Sequence, residues 1–184
     1  MILAARPDAD ALYGVTELWY SWTGAPEDAA RDSRPPGGIP SNTLLAPRAL
    51  LAGILRRELL VPCTCSIVVR ADAVRRSGGF VDEFRYIYTD LAFYSRLSLV
   101  GSVLYVERCW DRYRRHPASA YSTVQRRGEG REARRRWLTW LERYVQGTDA
   151  RDDRDLRVAI RAALRRVRYP RLFGLVDRVR GRGA

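Results

Sequence analysis

The chain has 184 residues, of which 46% are hydrophobic, and its 33 basic and 21 acidic residues give it a formal net charge of +12. This length and composition indicate one soluble globular domain with a tail and exclude a chain that is mostly disordered. Its most apolar stretch, residues 59–69, is shorter than the about 18 residues of a membrane-spanning helix and is interrupted by Pro62. Residues 1–11 lack the basic start and apolar run of a signal peptide, so we expect a cytoplasmic protein.

The positive charge is concentrated near the C-terminus. Every basic residue other than the one histidine is an arginine. Residues 126–184 contain 18 arginines and 8 acidic residues, a net charge of +10, whereas residues 1–125 contain 15 and 13, a net charge of +2. We therefore predict two parts, an α/β portion over residues 1–125 and an Arg-rich amphipathic helical extension over residues 126–184.

The first predicted elements are a strand, a loop and a helix. Aromatic and β-branched residues alternate over residues 10–22, which favours one strand or a short hairpin. Residues 23–41 are rich in Gly, Pro, Asp and Ser and predict a surface loop. Apolar residues then follow Pro47 at helical spacing and end before Arg57, which predicts an amphipathic helix.

The middle of the chain alternates strands with helices, which predicts an α/β fold. The apolar run 65–69 is typical of a strand covered on both faces, and residues 71–77 predict a short helix. Apolar positions three, four and seven residues after Asp90 predict a helix over residues 90–100 with Asp90 on its apolar face. Residues 103–106 predict another strand, followed by a polar and aromatic segment.

Three cysteines, Cys63, Cys65 and Cys109, cannot all pair within one chain, and we expect reduced thiols. With His116 they could in principle complete a zinc site. Their spacing matches no zinc knuckle, however, and Cys63 and Cys65 flank a predicted strand. Structural thiols are therefore the favoured interpretation.

Two residues carry the candidate chemistry, and each has a structural alternative. Asp90 is suited to cap the N-terminus of its helix, or to act as a general base at the edge of the sheet. His116, the single histidine, is either a hydrogen-bonded structural residue or, beside Arg114, a ligand for a phosphate or metal-diphosphate group. Residues 78–80 either end a helix in a tight turn or allow a substrate to approach the main chain closely.

Four short motifs follow one another in a fixed order. They are a strand ending in Val-Val-Arg70, then Gly78-Gly79-Phe80 with Asp82-Glu83, then Thr89-Asp90, and finally Tyr113-Arg114-x-His116-x-x-Ser119. This order resembles the C-terminal half of a family 2 glycosyltransferase, an inverting enzyme that uses a nucleotide sugar and has a glycosyltransferase-A fold. The resemblance covers residues 1 to about 125 and implies a partial, Rossmann-like glycosyltransferase-A domain.

The resemblance also implies roles for individual residues. Asp90 matches the base that deprotonates the acceptor hydroxyl, and His116 matches a histidine that reaches the metal or the donor diphosphate. The expected cofactor is a divalent cation, Mg or Mn. The expected reaction transfers a sugar from a nucleotide-sugar donor and serves the synthesis of a polysaccharide or glycoconjugate. The acceptor is not specified. The resemblance also implies a set of substrate-binding residues: Gly78, Gly79, Phe80, Thr89 and Arg114.

Two departures from the family pattern bear on activity. Thr89 stands where the family usually has glutamate, which weakens the expected orientation of the acceptor. The family's nucleotide-binding strands and Asp-x-Asp metal motif have no counterpart, and Asp8-Ala-Asp10 does not follow an apolar strand. We therefore expect the chain alone to be inactive. A misassigned start, a truncated gene and a second chain that supplies the other half all remain open.

The basic extension has three interpretations. Arginines recur at residues 157, 161 and 165, opposite an apolar side that begins at Leu156. Such helices most often pack onto a domain with their arginines in solvent. A second hypothesis is peripheral docking on an anionic membrane at the inner face, and a third, ranked lower, is nucleic-acid binding. Nucleic-acid binding is ranked lower because the aromatic residues of the extension share one helix face with a leucine, as residues of a core do. These residues are Trp137, Trp140, Leu141 and Tyr144.

Overall fold

The computed structural model describes residues 2–170 and has a mixed α/β fold. Its strands are β1 (Ala11–Trp19), β2 (Thr43–Leu45), β3 (Ile67–Val69) and β4 (Val103–Arg114). Its helices are α1 (Pro26–Ala29), α2 (Ala49–Arg56), α3 (Ala71–Ser77), α4 (Thr89–Val100), α5 (Ala120–Arg126), α6 (Gly130–Gln146) and α7 (Arg154–Arg168). The predicted α/β class is confirmed.

The strands form one mixed sheet in the order β2-β4-β1-β3. The two central strands, β1 and β4, run parallel, and each edge strand pairs antiparallel with its neighbour. The prediction that the strand near residue 67 is covered on both faces is wrong, because β3 lies at an edge and Val68 is 52% exposed. The predicted strand 103–106 is too short, since β4 continues to Arg114 beside the second half of β1.

The helices predicted after Pro47, over residues 71–77 and over residues 90–100 are confirmed as α2, α3 and α4. The left-handed conformation of Gly78, with φ +74°, ends α3. Such a conformation is costly for residues other than glycine, so the sequence ends this helix at a defined point. The predicted loop 23–41 is irregular for most of its length but contains the single helical turn of α1.

The core joins the sheet to the two long C-terminal helices. One apolar cluster includes Tyr13 of β1, Leu97 of α4, Trp137 of α6 and Ile160 of α7. The apolar side of α7 is buried, and its arginines at 157, 161 and 165 face solvent. Residues 130–168 therefore contribute to the same core as residues 11–105. The predicted continuation of the extension beyond residue 170 lies outside the described residues.

Among residues 2–170, no helix combines the length and the hydropathy that a bilayer-spanning segment requires.

Within residues 2–170, the outer edge of β3 has no partner strand, and this leads to a prediction about self-association. An unpaired strand edge that presents an exposed valine is a template for pairing with another chain. We expect the wild-type protein to self-associate as its concentration rises, and the Val68→Lys variant to self-associate less. Sedimentation velocity or light scattering measures the difference. Val158→Ala, which changes an exposed valine on α7, is the control. A wild-type protein that is a monodisperse, cooperatively melting monomer at every concentration would contradict this prediction.

Candidate functional site

A cavity of about 720 Å³ lies in the described part of the chain. Its walls are the middle of β1, the segment 60–64, the segment 86–91 that leads into α4, and the end of β4 with the start of α5. The lining is mostly apolar and aromatic, and the charged side chains in it are Asp90 and Arg115. A concave apolar site with a few polar groups is the usual form of a small-molecule site.

Asp90 lies in the first turn of α4, where the N-terminus of the helix favours a carboxylate. Its Oδ1 accepts a hydrogen bond from the backbone N–H of Leu91 at 2.8 Å. The other carboxylate oxygen has no hydrogen-bond or ion-pair partner within residues 2–170. The structural role and the chemical role predicted for Asp90 are therefore compatible, because one oxygen binds the backbone and the other is free to accept a proton.

Neighbouring groups keep Asp90 in a fixed position. The hydroxyl of Thr89 donates a hydrogen bond to the backbone carbonyl of Phe84, which anchors the start of α4. Tyr88 has a left-handed backbone, with φ +63°, and its ring stacks on Trp137 with centroids 5.9 Å apart. Burial raises the pKa of the Tyr88 hydroxyl, and this effect outweighs the positive charge of Arg134, which lowers it; Asp90 makes only a small contribution in the upward direction. Tyr88 therefore stays a neutral hydrogen-bond donor at the cavity wall.

The three residues of the Gly78-Gly79-Phe80 motif have different surroundings. Phe80 lines the cavity and stacks on Phe93 at 4.6 Å between ring centroids. Gly78 and Gly79 are not among the lining residues. A Cβ atom on Gly78 would lie 1.8 Å from the Arg96 guanidinium, so the space beside this glycine is filled by the protein itself. The structural interpretation suits Gly78, and Phe80 is the member of the motif that a ligand can contact.

The Tyr113-Arg114-x-His116 motif divides between the two faces of the sheet. Side chains alternate along a strand, so Tyr113 and Arg115 line the cavity while Arg114 lies over the rings of Trp19 and Trp22. Arg115 is a candidate residue that the sequence analysis missed. The alternation of side chains along β4 could have indicated that Arg115 lies on the same side as Tyr113, if this strand had been predicted to continue past residue 106.

His116 is not among the cavity-lining residues. Its ring meets the edge of Trp22 at 6.3 Å between centroids, and its backbone carbonyl accepts a hydrogen bond from Ser122. The cavity thus brings Phe80, Thr89 and Asp90 together, and leaves Arg114 and His116 outside.

The expected Mg or Mn cofactor does not fit the residues of the cavity. Magnesium and manganese prefer several oxygen ligands, and the only carboxylate among the lining residues is Asp90. The cavity residues therefore offer such a cation a single carboxylate ligand.

One loop packs closely against β4 and forms part of the cavity wall. A Cβ atom on Gly37 would lie 2.1 Å from the Tyr105 hydroxyl, so only glycine allows the loop to approach this strand. Pro35 and Gly37 of this loop line the cavity together with Tyr105. The Gly and Pro residues that predicted a loop therefore also shape one wall of the site.

Comparisons with protein families, with curated proteins and with solved structures found no match for this chain.

Proposed function

We propose that this chain is the acceptor-side portion of an inverting glycosyltransferase with a partial glycosyltransferase-A fold, and that Asp90 is its general base. In the proposed reaction an acceptor hydroxyl oxygen attacks the anomeric carbon of a nucleotide sugar. Asp90 takes the hydroxyl proton as the new C–O bond forms, and the nucleoside diphosphate leaves with the electrons of the broken C–O bond. The observation that carries the proposal is the open carboxylate oxygen of Asp90 in an aromatic-walled cavity.

The shape and chemistry of the cavity support a sugar acceptor. The exposed rings of Phe80, Tyr86 and Tyr121 offer flat apolar surfaces, and the C–H groups of a sugar ring pack well on such faces. Thr16 and Arg115 add hydrogen-bonding groups for sugar hydroxyls. Donor-side residues are not part of this proposal, because the nucleotide-binding motifs of the family have no counterpart in the sequence.

Acceptor binding gives a test that does not require catalysis. We expect saturation-transfer NMR against a panel of mono- and oligosaccharides to detect binding by the wild-type chain. Phe80→Ala should weaken it by about 3- to 10-fold, because one aromatic contact contributes about 0.5–1.5 kcal/mol. Phe80 is 60% exposed, so its loss should leave the fold intact. Val158→Ala, at a similarly exposed position outside the cavity, serves as the control. Equal binding by Phe80→Ala and wild type would contradict the placement of the acceptor.

The exposed arginines of α7 favour a second candidate function, electrostatic docking on an anionic surface. Because the apolar side of α7 is buried in the core, we expect binding through charge alone, with strong salt dependence. Replacing Arg157, Arg161 and Arg165 with glutamine should lower the flotation of the protein with anionic vesicles at low salt. No vesicle binding by the wild type would remove this candidate. Salt-sensitive binding to RNA or DNA without affinity for saccharides would instead favour a nucleic-acid module.

A further inference from the structure

Two cysteines and one aspartate meet beside the cavity, in a cluster that the proposed glycosyl transfer does not use. The Cys63 and Cys65 sulfurs are 3.2 Å apart, and the Cys65 thiol donates a hydrogen bond to Oδ2 of Asp111 at 2.9 Å. One potential ligand atom from each residue lies within 4.8 Å of the other two. All three cysteines of the chain are free thiols. The cluster therefore combines two sulfur ligands with one oxygen ligand.

We propose that Cys63, Cys65 and Asp111 bind a zinc ion. Thiolate sulfur and carboxylate oxygen are both common zinc ligands, whereas magnesium and calcium prefer oxygen alone. Ligand atoms around tetrahedral zinc lie roughly 3.5–3.8 Å apart, as follows from Zn–S bonds of about 2.3 Å and Zn–O bonds of about 2.0–2.2 Å. The observed separations of 3.2 Å between the two sulfurs and 2.9 Å between the Cys65 sulfur and Oδ2 of Asp111 are shorter than these by about 0.5–0.8 Å, so the side chains would move apart by that amount when zinc binds.

The backbone holds the two cysteines close together before any metal binds. The backbone N–H and the hydroxyl of Ser66 both donate hydrogen bonds to the Cys63 carbonyl, at 2.9 and 3.0 Å. This turn places both sulfurs on one side of the segment that precedes β3. Ser66 is itself buried, so the turn is part of the packed structure.

The position of Asp111 depends on an irregularity in the central sheet. The pairing of β1 with β4 shifts register between Tyr13 and Val15 and again between Val15 and Thr16, and Asp111 is the partner of Thr16 immediately after these shifts. The hydroxyl of Thr16 donates a hydrogen bond to Oδ1 of Asp111 at 3.4 Å. The carboxylate is thus oriented by a neighbour, as metal-binding carboxylates usually are, and Oδ2 faces the thiols.

Zinc at this position would have three protein ligands and one position for water or another ligand. Binding replaces the two thiol protons, which pass to solvent, with two Zn–S bonds. The ion would tie the segment 60–66 to β4. Because Cys63 and Thr16 also line the cavity, it would adjoin the cavity wall. This inference does not rest on the proposed glycosyl transfer.

Cobalt titration tests the site directly, because Co²⁺ reports thiolate ligation by its absorption. We expect the reduced, metal-free full chain to bind one Co²⁺ with thiolate-to-cobalt charge-transfer bands and the intense visible bands of tetrahedral cobalt, and Zn²⁺ to displace it. Cys65→Ser and Asp111→Asn should each weaken binding by more than about tenfold, since even outer-shell changes cost 10- to 100-fold. Cys109→Ser is the matched control, because this thiol hydrogen-bonds the Asp111 backbone and lies outside the cluster.

Each outcome of the titration decides the proposal. Selective loss in Cys65→Ser and Asp111→Asn, with wild-type binding in Cys109→Ser, supports it. Absence of charge-transfer bands in the reduced wild type overturns it, as does equal loss in all three variants. A protein that isolates with a Cys63–Cys65 disulfide and takes up no zinc after reduction would also overturn it and would indicate a redox pair instead. Circular dichroism of each variant separates loss of the site from loss of the fold.

Discussion

Replacing Asp90 with asparagine should lower the turnover number for sugar transfer by about 10²- to 10⁴-fold, the usual contribution of a general base. Asparagine has nearly the same shape, and its side-chain oxygen can still accept the hydrogen bond from the Leu91 N–H. It cannot take a proton from the acceptor hydroxyl. The KM for the acceptor should change little, because the substitution removes an interaction made mainly in the transition state.

Release of nucleoside diphosphate from a panel of nucleotide sugars measures this effect. The assay is run on this chain and on the longest in-frame product that contains it, so that any donor-binding segment encoded upstream is included. Asp82→Asn is the control, because it removes the same charge from an aspartate whose side chain is 96% exposed. An Asp90→Asn enzyme that keeps wild-type turnover would refute the role of Asp90 as the base, whereas the acceptor-binding test above addresses the cavity separately.

Trp137→Ala should lower the free energy of unfolding by about 3–5 kcal/mol, the cost of removing a large buried aromatic side chain. Trp137 is only 1% exposed, and its indole N–H donates a hydrogen bond to the buried hydroxyl of Ser95 at 3.3 Å. Its ring also stacks on Tyr88, two residues before Asp90. The substitution therefore removes packing from the core and support from one wall of the cavity.

Urea denaturation followed by circular dichroism measures the loss, with Thr139→Ala on the exposed side of α6 as the control. A companion experiment ends the chain at residue 125, which exposes the apolar cluster that α6 and α7 cover. We expect that shortened chain to lose cooperative unfolding. A cost of less than about 0.5 kcal/mol for Trp137→Ala, the range usual for surface positions, would contradict the placement of Trp137 in this shared core.

The helices could be predicted from sequence because their signals are local. The apolar spacing in α2 and α4 and the glycine after α3 each lie within a few residues of the element that they specify. The missed elements depend on distant partners. β2 has three residues and forms only by pairing with β4, and the second half of β4 is a strand only because Thr16–Trp19 lie beside it. No pattern within either segment indicates that partner.

The residues of the candidate site also divide into those with local sequence signals and those whose position depends on a distant partner. Asp90 and Thr89 could be placed at the start of a helix from spacing alone, and the structure brings both to the cavity. Arg115 could not be assigned to the site from the sequence, because the side of the sheet on which its side chain lies depends on how far β4 extends. Asp111 could not be linked to Cys65, which is 46 residues away in sequence, because a shift of register in the sheet sets their contact.

The parallel pairing of β1 with β4 also constrains how the protein folds. It joins residues about 90 positions apart, from Ala11 beside Val103 to Trp19 beside Arg114. Contacts of such high sequence separation form slowly, because the entropy of closing a long loop must be offset before they contribute. During synthesis the cavity cannot assemble until the ribosome has released Tyr121, the last residue that lines it, and β1 lacks its main partner until β4 is released. We therefore expect refolding to be slow relative to helical proteins of this size, and the nascent chain to depend on chaperones that shield β1.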